Sequence, residues 1–574
     1  MTKPVKLALC FLVVAVIGLG AFIFSRQPSR HAAVPARAGG GSLVASLRSE
    51  PTGYNRYVDA TAAADLVSLL SHARLVRINR GTDELEPALA ESWITSADAL
   101  TYTLKLRPGV RFSDGTPFSS ADVLFTARAL YDPRVNSVLA PAMHIGGRPL
   151  AFEAPDASTV IVRLPAPYAP GLRLLDNLAI LPRHKLEPAL DAGRFAEAWR
   201  VGTALSEVVG LGPFVLTEHV TGQRLVFARN PHYWRRDGTG EQLPYLDRLT
   251  VSIVTDQNTE AVRMESGDID LMSNGDIRPD DYAAFRRASD QGRVRLLDVG
   301  IGLDPNVLWF NLGESSATRA AFFRQKAFRQ AIAHAVDRDA IVNTVYLGAA
   351  VPISGPITPG NKTWYSSAAP VYAFDRARAR ALLSSIGLTD RDGDGLIEDS
   401  RGERLRFSLL TQSGHTVRER TAAVIQEQLR QVGIAVDVSA VDPGSIRQRW
   451  LTGEYDSIYF GVQASSTDPT IGWSDFWFSS GPFHVWNPAQ KTPATEWEGR
   501  IDALMRRQEA APTLSERQQL FAEVQKIFGE ELPAIYFVAP RVTLALSSRV
   551  ANPQPALQIP QLLWSADTLR AVSR

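Results

Sequence analysis

The sequence predicts a large mixed α/β protein with several domain-sized units, and three observations carry that reading. The chain has 574 residues, which at about 150 residues per domain suggests roughly three to four units. Helical stripes and alternating strands succeed one another along its length. A strand, helix and strand at 405–438 have the spacing of a βαβ unit with parallel strands.

Residues 101–106 alternate, with Tyr102, Leu104 and Leu106 on one side and Thr101, Thr103 and Lys105 on the other, as in a half-buried strand. Ser113-Asp114-Gly115 supplies a turn. A helix starts near Ser119 or Ser120, with Val123, Ala127, Leu130 and Tyr131 on one face. Phe328, Ala331, Ile332, Ala335 and Val336 form the next stripe. Asp337 reads as the N-cap of a further helix that Gly348 ends. Asp375 opens a helix with Ala379, Leu382, Leu383 and Ile386 on one face and Gly387 past its end. In the βαβ run, Leu405, Phe407 and Leu409 alternate. Ala422, Ile425, Leu429 and Val432 then form a stripe closed by Gly433, and Ile434, Val436 and Val438 alternate again. Ser515-x-x-Gln518 has the pattern of a capping box ahead of Leu520, Val524, Ile527 and Phe528. An apolar strand at 534–538 follows Pro533.

Composition narrows the function. Hydrophobic residues make up 45% and charged residues 21%, enough to build large cores. With 61 basic and 60 acidic residues the net charge is +1, which argues against a general nucleic-acid binder. Cys10 is the one cysteine, so no intramolecular disulfide can form. The nine histidines are scattered. No zinc-protease, P-loop or nucleophile-elbow motif occurs, so neither catalysis nor a cofactor is expected.

The N-terminus has the order of a targeting segment. Lys3 and Lys6 precede an uncharged apolar run at 7–24, and Arg26 and Arg30 follow. Eighteen residues at 1.5 Å rise cover about 27 Å, close to a bilayer core. The run therefore reads either as a cleaved signal peptide or as a permanent membrane anchor. Cys10 has Leu9 before it and apolar residues after it, which does not suit lipid attachment. Residues 25–42, with Pro28, Pro35 and three glycines, have a linker composition.

A series of motifs says more than periodicity. EPALAESW (86–93) is followed by LTYTLKLRPGVRFSDGTPFSSADVLF (100–125) and GLGPFVLTEHVTGQRLVFARNPHYW (210–234). LPYLDRLTVSIV (243–254), MESGDIDL (264–271), FRQAIAHAVDRDAIV (328–342) and LPAIYF (532–537) come after them in order. This series closely resembles the large peptide-binding family of ABC-importer solute-binding proteins, which takes in dipeptide, oligopeptide and nickel-chelate binders. The resemblance spans nearly everything from Ser42 onward. It implies a two-lobed, type II periplasmic-binding-protein fold with an extra domain inserted in the first lobe. By analogy lobe one would be 43–304 plus 540–574, with the insertion at about 76–209, and lobe two 305–539. The crossings would lie near 305–312 and 533–540. The resemblance further implies an exported, monomeric protein that closes on a small molecule, a peptide in the family's terms, and docks on permease subunits. A metal chelate, an oligosaccharide or a membrane-anchored sensor role are the alternatives.

Candidate ligand contacts follow from the resemblance and from residue chemistry. In dipeptide and oligopeptide binders an aspartate of lobe two pairs with the ligand's ammonium, a few residues before an acidic-Pro pair. Here the matching stretch is GVQASSTDPTIGWSDFWFSS (461–480). Asp468-Pro469 matches the pair, but Ser465 stands where the acid is expected. Either Asp468 or Asp475 takes that role, or the ligand lacks a free amine there, because a buried ammonium needs a carboxylate. Trp473, Trp477 and Trp486 belong to an aromatic-rich stretch that suits a stacking wall. Tyr54 and Asn55, in EPTGYNRY (50–57), occupy the place where the family's first strand opens into the cleft. Asp390, Asp392 and Asp394, with Gly395, resemble the first half of a calcium loop, although Arg401 takes the position of the bidentate glutamate.

Overall fold

The computed structural model describes residues 40–313, 319–462, 466–472 and 474–572. The apolar run at 7–24 and Cys10 lie outside them. Among the described residues no helix is long and apolar enough to cross a membrane.

Two sheets organise the chain. The first has eight strands, in the order Phe214–Val220, Arg224–Arg229, Arg248–Ile253, Ser42–Leu47, Leu271–Asp276, Val538–Ser547 and Val294–Ile301, with Ala350–Pro352 joining Val538–Ser547 off this path. Strand Ser42–Leu47 runs parallel to both its neighbours. The second sheet has five strands, in the order Ala435–Val441, Arg406–Gln412, Ser457–Gly461, Asn306–Phe310 and Ala534–Tyr536. The βαβ unit forms as expected: Arg406–Gln412 and Ala435–Val441 pair in parallel, with helix Thr416–Arg430 between them.

Alternation explains how the second sheet builds two cores. On strand Asn306–Phe310, Leu308 and Phe310 point into a cluster with Phe323, Phe328 and Phe407. Val307 and Trp309 point the other way, into a cluster with Trp477, Trp486, Phe521 and Phe528. Successive side chains on a strand face opposite sides, so a sheet covered on both faces reads as a continuous apolar run. A third sheet of four strands, Ala90–Thr95, Thr101–Leu106, Thr159–Arg163 and Ala151–Asp156, packs beside the first. One apolar cluster runs from Leu43 and Leu249 through to Leu104 and Val160. The four-stranded unit thus shares a core with the eight-stranded sheet and has none of its own.

Two short crossings, at residues 302–305 and at Phe537, join the two large sheets. These crossings are tied together, because the Gly302 amide donates to the Pro540 carbonyl at 2.7 Å.

Helix starts match their side-chain signals in three places. Asp337 and Asp375 accept from Ala340 and Arg378 amides, and Ser119 forms a capping box with Asp122 ahead of helix Ser120–Tyr131. Two boundaries differ. The helix after Asp337 ends at Thr344, four residues before Gly348. The late helix, Leu514–Glu531, is capped by Thr513, whose side chain accepts from the Glu516 amide. Thr513-x-x-Glu516 and Ser515-x-x-Gln518 satisfy the same pattern, and the earlier one caps the helix because Thr513 has the extended backbone of an N-cap while Ser515 already lies within the helix.

Candidate functional site

Helix Ala62–Ser71 turns Ala63, Leu66, Val67 and Leu70 into the first core and is capped by Thr61, which accepts from the Ala64 amide. It stops at His72, whose backbone is extended. Residues 72–80 then run along one wall of a cavity of about 430 Å³.

The motif GLGPF at 210–214 holds this wall in place. The Gly212 amide donates to the Ser71 carbonyl at 2.9 Å. A Cβ on Gly212 would lie 2.4 Å from the Ser71 carbonyl carbon and 2.6 Å from the His72 nitrogen, and one on Gly210 would lie 1.9 Å from the Ser71 oxygen. Only glycine lets the two backbones approach this closely. Gly212→Ala is therefore expected to cost about 1–3 kcal/mol of stability, read as a lowered urea midpoint at unchanged m-value. Asn230, of the NPHYW motif, buttresses the same turn by donating from Nδ2 to the Gly212 carbonyl at 2.8 Å.

The cavity lies between the sheets. Leu303 and Asp304 of a crossing segment border it, Ser466 and Ile471 reach it from the second lobe, and Trp234 and Trp564 close it from the first. The lobes touch beside it: the Thr467 hydroxyl donates to Asp83 at 2.8 Å, and the Ala169 amide donates to the Glu509 carbonyl at 2.6 Å. Farther off, Arg420 pairs with Asp280 at 2.8 Å.

Five arginines line this space: Arg56, Arg74, Arg77, Arg80 and Arg173. Arg56 pairs with Asp65 at 3.0 Å, Arg77 with Glu86 at 2.9 Å and Arg173 with Asp83 at 2.6 Å. Arg80 donates to the Ile559 carbonyl. Burial holds its pKa below the usual arginine value, opposed by the nearby Asp176 and Asp65 charges. His72 is buried at the same wall, and its pKa falls to about 3, chiefly through desolvation and secondly through the positive charge of Arg74. It is neutral at any physiological pH.

The residues singled out in the sequence fall mostly elsewhere. Tyr54 is buried, with its hydroxyl 2.6 Å from His219 Nδ1. Asn55 is buried and folds its own loop, accepting from the Tyr57 amide at 3.1 Å. Asp468 is buried and gripped by Arg517 through two parallel hydrogen bonds of 2.8 Å each. A third bond, from the Thr470 amide at 2.9 Å, completes its shell. Trp477 packs on Phe521 and Phe528, and Trp486 donates to Glu498 at 3.1 Å, both inside the second-lobe core. Asp475 is exposed as a residue, and partial desolvation of its carboxyl group raises its pKa above the ordinary carboxylate value. Ser465 and Trp473 lie outside the described residues. Of the Asp468-Pro469 region, it is the neighbouring Ser466 and Ile471 that border the cavity.

Asp390, Asp392 and Asp394 do come together, with Glu398, within 4.8 Å. Their charges are already engaged. Arg404 pairs with both Asp392 and Asp394, and Asp390 accepts from the Gly393 and Gly395 amides at 2.8 and 3.0 Å. Glu398 accepts from the Arg391 amide at 2.9 Å. The cluster is a braced turn.

His72 and Arg74 were not among the expected contacts. The signal that could have found them is Arg74, Arg77 and Arg80 at a spacing of three, beside the buried Leu75 and Val76. Three cations so close to core positions must face something polar.

A sequence profile of the bacterial extracellular solute-binding proteins, family 5 (middle region), matches residues 84–483. The chain belongs to this family. Over 538 residues it is 27% identical to a protein of Deinococcus radiodurans described as "Probable ABC transporter-binding protein", covering 89% of this chain and 88% of that one. It is 26% identical over 576 residues to the oligopeptide-binding protein AppA of Bacillus subtilis, covering 95% of both. Among solved structures, the ABC transporter substrate binding protein CtaP of Listeria monocytogenes superposes with a TM-score of 0.75 at 22% identity, over 93% of this chain and all of that one. The fold is that of the type II periplasmic binding proteins, and the family is one of extracellular solute binders.

Proposed function

We propose that this family 5 protein captures a peptide in the cavity between its lobes and delivers it to the permease of an ABC importer. The observation that carries the reading is the position of the cavity. It lies at the crossings, is walled by both lobes, and has lobe-to-lobe hydrogen bonds at its edge. A ligand that touches both walls stabilises the closed form, and closure about two short crossings is the motion such an arrangement permits. The volume of about 430 Å³ sits at the small end of the roughly 300–1,000 Å³ range of ligand sites. Likeness to an oligopeptide-binding protein over 95% of the chain favours peptide over other solutes.

The protein acts outside the cytoplasmic membrane as a monomer and does no chemistry on its ligand. The apolar segment at 7–24 takes it across the membrane, and lobes one and two follow the division at 304–305 and 539–540. Calorimetry against peptide libraries tests the function. Micromolar or tighter binding of a peptide is the expected result. Binding of no peptide, with tight binding of an oligosaccharide or a metal chelate, overturns it. The mass of the mature N-terminus separates a cleaved signal from an anchor.

A further inference from the structure

Within the cavity one cation stands apart. Arg56, Arg77, Arg80 and Arg173 each have a carboxylate or carbonyl partner, as described above. Arg74 is half-buried and lines the cavity, and while its backbone carbonyl accepts from the Leu89 amide at 3.1 Å, its guanidinium has no hydrogen-bond or ion-pair partner among the described residues. The cavity's carboxylates are committed elsewhere. Asp65 holds Arg56, Asp567 holds Arg235 at 2.7 Å and Tyr233 at 3.0 Å, and Asp176 accepts from the Ile78 amide at 3.0 Å beside Arg80. Asp304 is likewise engaged.

Two residues away, His72 offers the complementary chemistry, and its tautomer can be worked out. The Ser71 hydroxyl has one proton, and it donates this to the Val67 carbonyl at 2.6 Å. Its contact with His72 Nδ1 at 2.9 Å must then be one in which Nδ1–H donates. That leaves Nε2 without a proton, as a bare acceptor. It is buried and has no partner. The indole Nε1–H of Trp234, another cavity residue, is a buried donor likewise without a partner. Buried polar groups left unpaired cost about 1–3 kcal/mol each, so these two, beside the unpaired Arg74 guanidinium, mark where a ligand's polar atoms belong. His72 and Arg74 are two apart on extended chain, so they project to the same side.

Building on the solute-capture reading above, we propose that Arg74 is the anchor for a ligand carboxylate, and that His72 Nε2 accepts a hydrogen bond from a ligand N–H beside it. A guanidinium matches a carboxylate through two parallel hydrogen bonds. For a peptide, the pair describes the C-terminal carboxylate and a neighbouring amide. Recognition is then by the acidic end of the ligand in the first lobe. This also accounts for a second lobe whose Asp468 is fully engaged by Arg517 and cannot meet an ammonium without releasing it.

The test uses two tripeptide libraries of the same sequences, one with free C-terminal carboxylates and one with C-terminal amides, measured by calorimetry against the full-length mature protein. The native protein is expected to bind the free acids at least 30-fold more tightly than the amides. Arg74→Gln should bind both libraries equally, at the level the native protein shows for the amides, and Arg74→Lys should keep part of the preference. His72→Phe, which keeps a ring against Trp199, should weaken both libraries several-fold and leave the acid-to-amide ratio unchanged. The library comparison on native protein does not depend on any variant folding. Equal binding of the two libraries by native protein overturns the anchor while leaving peptide capture standing. Retention of the preference by a folded Arg74→Gln overturns it as well. Binding of neither library overturns peptide capture itself and the anchor with it.

Discussion

Arg517→Ala is expected to cost about 3–5 kcal/mol of stability, because it strands the buried Asp468 carboxylate. Both side chains are almost wholly buried, at 7% and 3% exposure. The guanidinium makes two 2.8 Å bonds to Asp468 and a further bond to Thr470 Oγ1 at 3.1 Å, and its central carbon lies 4.7 Å from the centre of the Trp364 ring. In the alanine variant Asp468 keeps only the Thr470 amide. A carboxylate with one donor, out of water, is the costly state. Removing both charges is different. Replacing the pair by apolar residues of similar size should recover much of the loss, because neither desolvation penalty is then paid in the folded state. Urea denaturation at pH 7 of Arg517→Ala, Asp468→Leu and the Arg517→Met/Asp468→Leu double variant checks this. The double variant should be more stable than either single one, and additive losses would contradict the account. The effect reaches the cavity, because the Asp468 carboxylate also accepts from the amide of Thr470, the residue before Ile471, and Ser466 and Ile471 on either side of it border the cavity.

How much was legible in the sequence depends on how local each signal is. The βαβ unit at 406–441 was readable because its strand and helix periods are clean and its connections short. The family was readable because seven motifs kept their order. The cap of the late helix was misplaced by two residues because Thr513 and Ser515 each precede a suitable partner by three. Asp468 was readable as an unusual acid before proline. Its true partner, Arg517, lies 49 residues away, and no periodicity connects them. Trp477 and Trp486 illustrate the same limit. An aromatic run serves a stacking wall and a core equally well, and only the packing against Phe521, Phe528 and Glu498 decides for the core. The shared core of the four-stranded unit was also out of reach, because it depends on contacts between segments far apart in the chain.

Acid should strengthen the closed structure through Glu509. This side chain sits where the inserted four-stranded unit meets the second lobe: its own carbonyl accepts from Ala169, and Tyr168 is close enough to feel its charge. Desolvation raises its pKa to about 7, with Asp468 adding to the rise and Arg506 and Arg517 opposing it. The carboxyl group has no hydrogen-bond or ion-pair partner among the described residues. A carboxyl group whose folded pKa lies above its unfolded value near 4.5 binds its proton more tightly in the folded protein. Its contribution is fully present below about pH 4.5, declines through the interval up to pH 7, and is gone above that. A shift of this size corresponds to about 3 kcal/mol. Glu509→Gln, neutral at every pH, should therefore match the native protein in stability at pH 4.5 and exceed it at pH 8 by up to that amount. Melting temperatures across pH 4.5–8 for the two proteins check this, and parallel curves would refute it. Because part of the burial comes from the other lobe, part of the same penalty falls on closure. Ligand affinity of the native protein should then weaken between pH 5 and pH 8, and Glu509→Gln should flatten that slope while leaving the Arg74 cavity untouched.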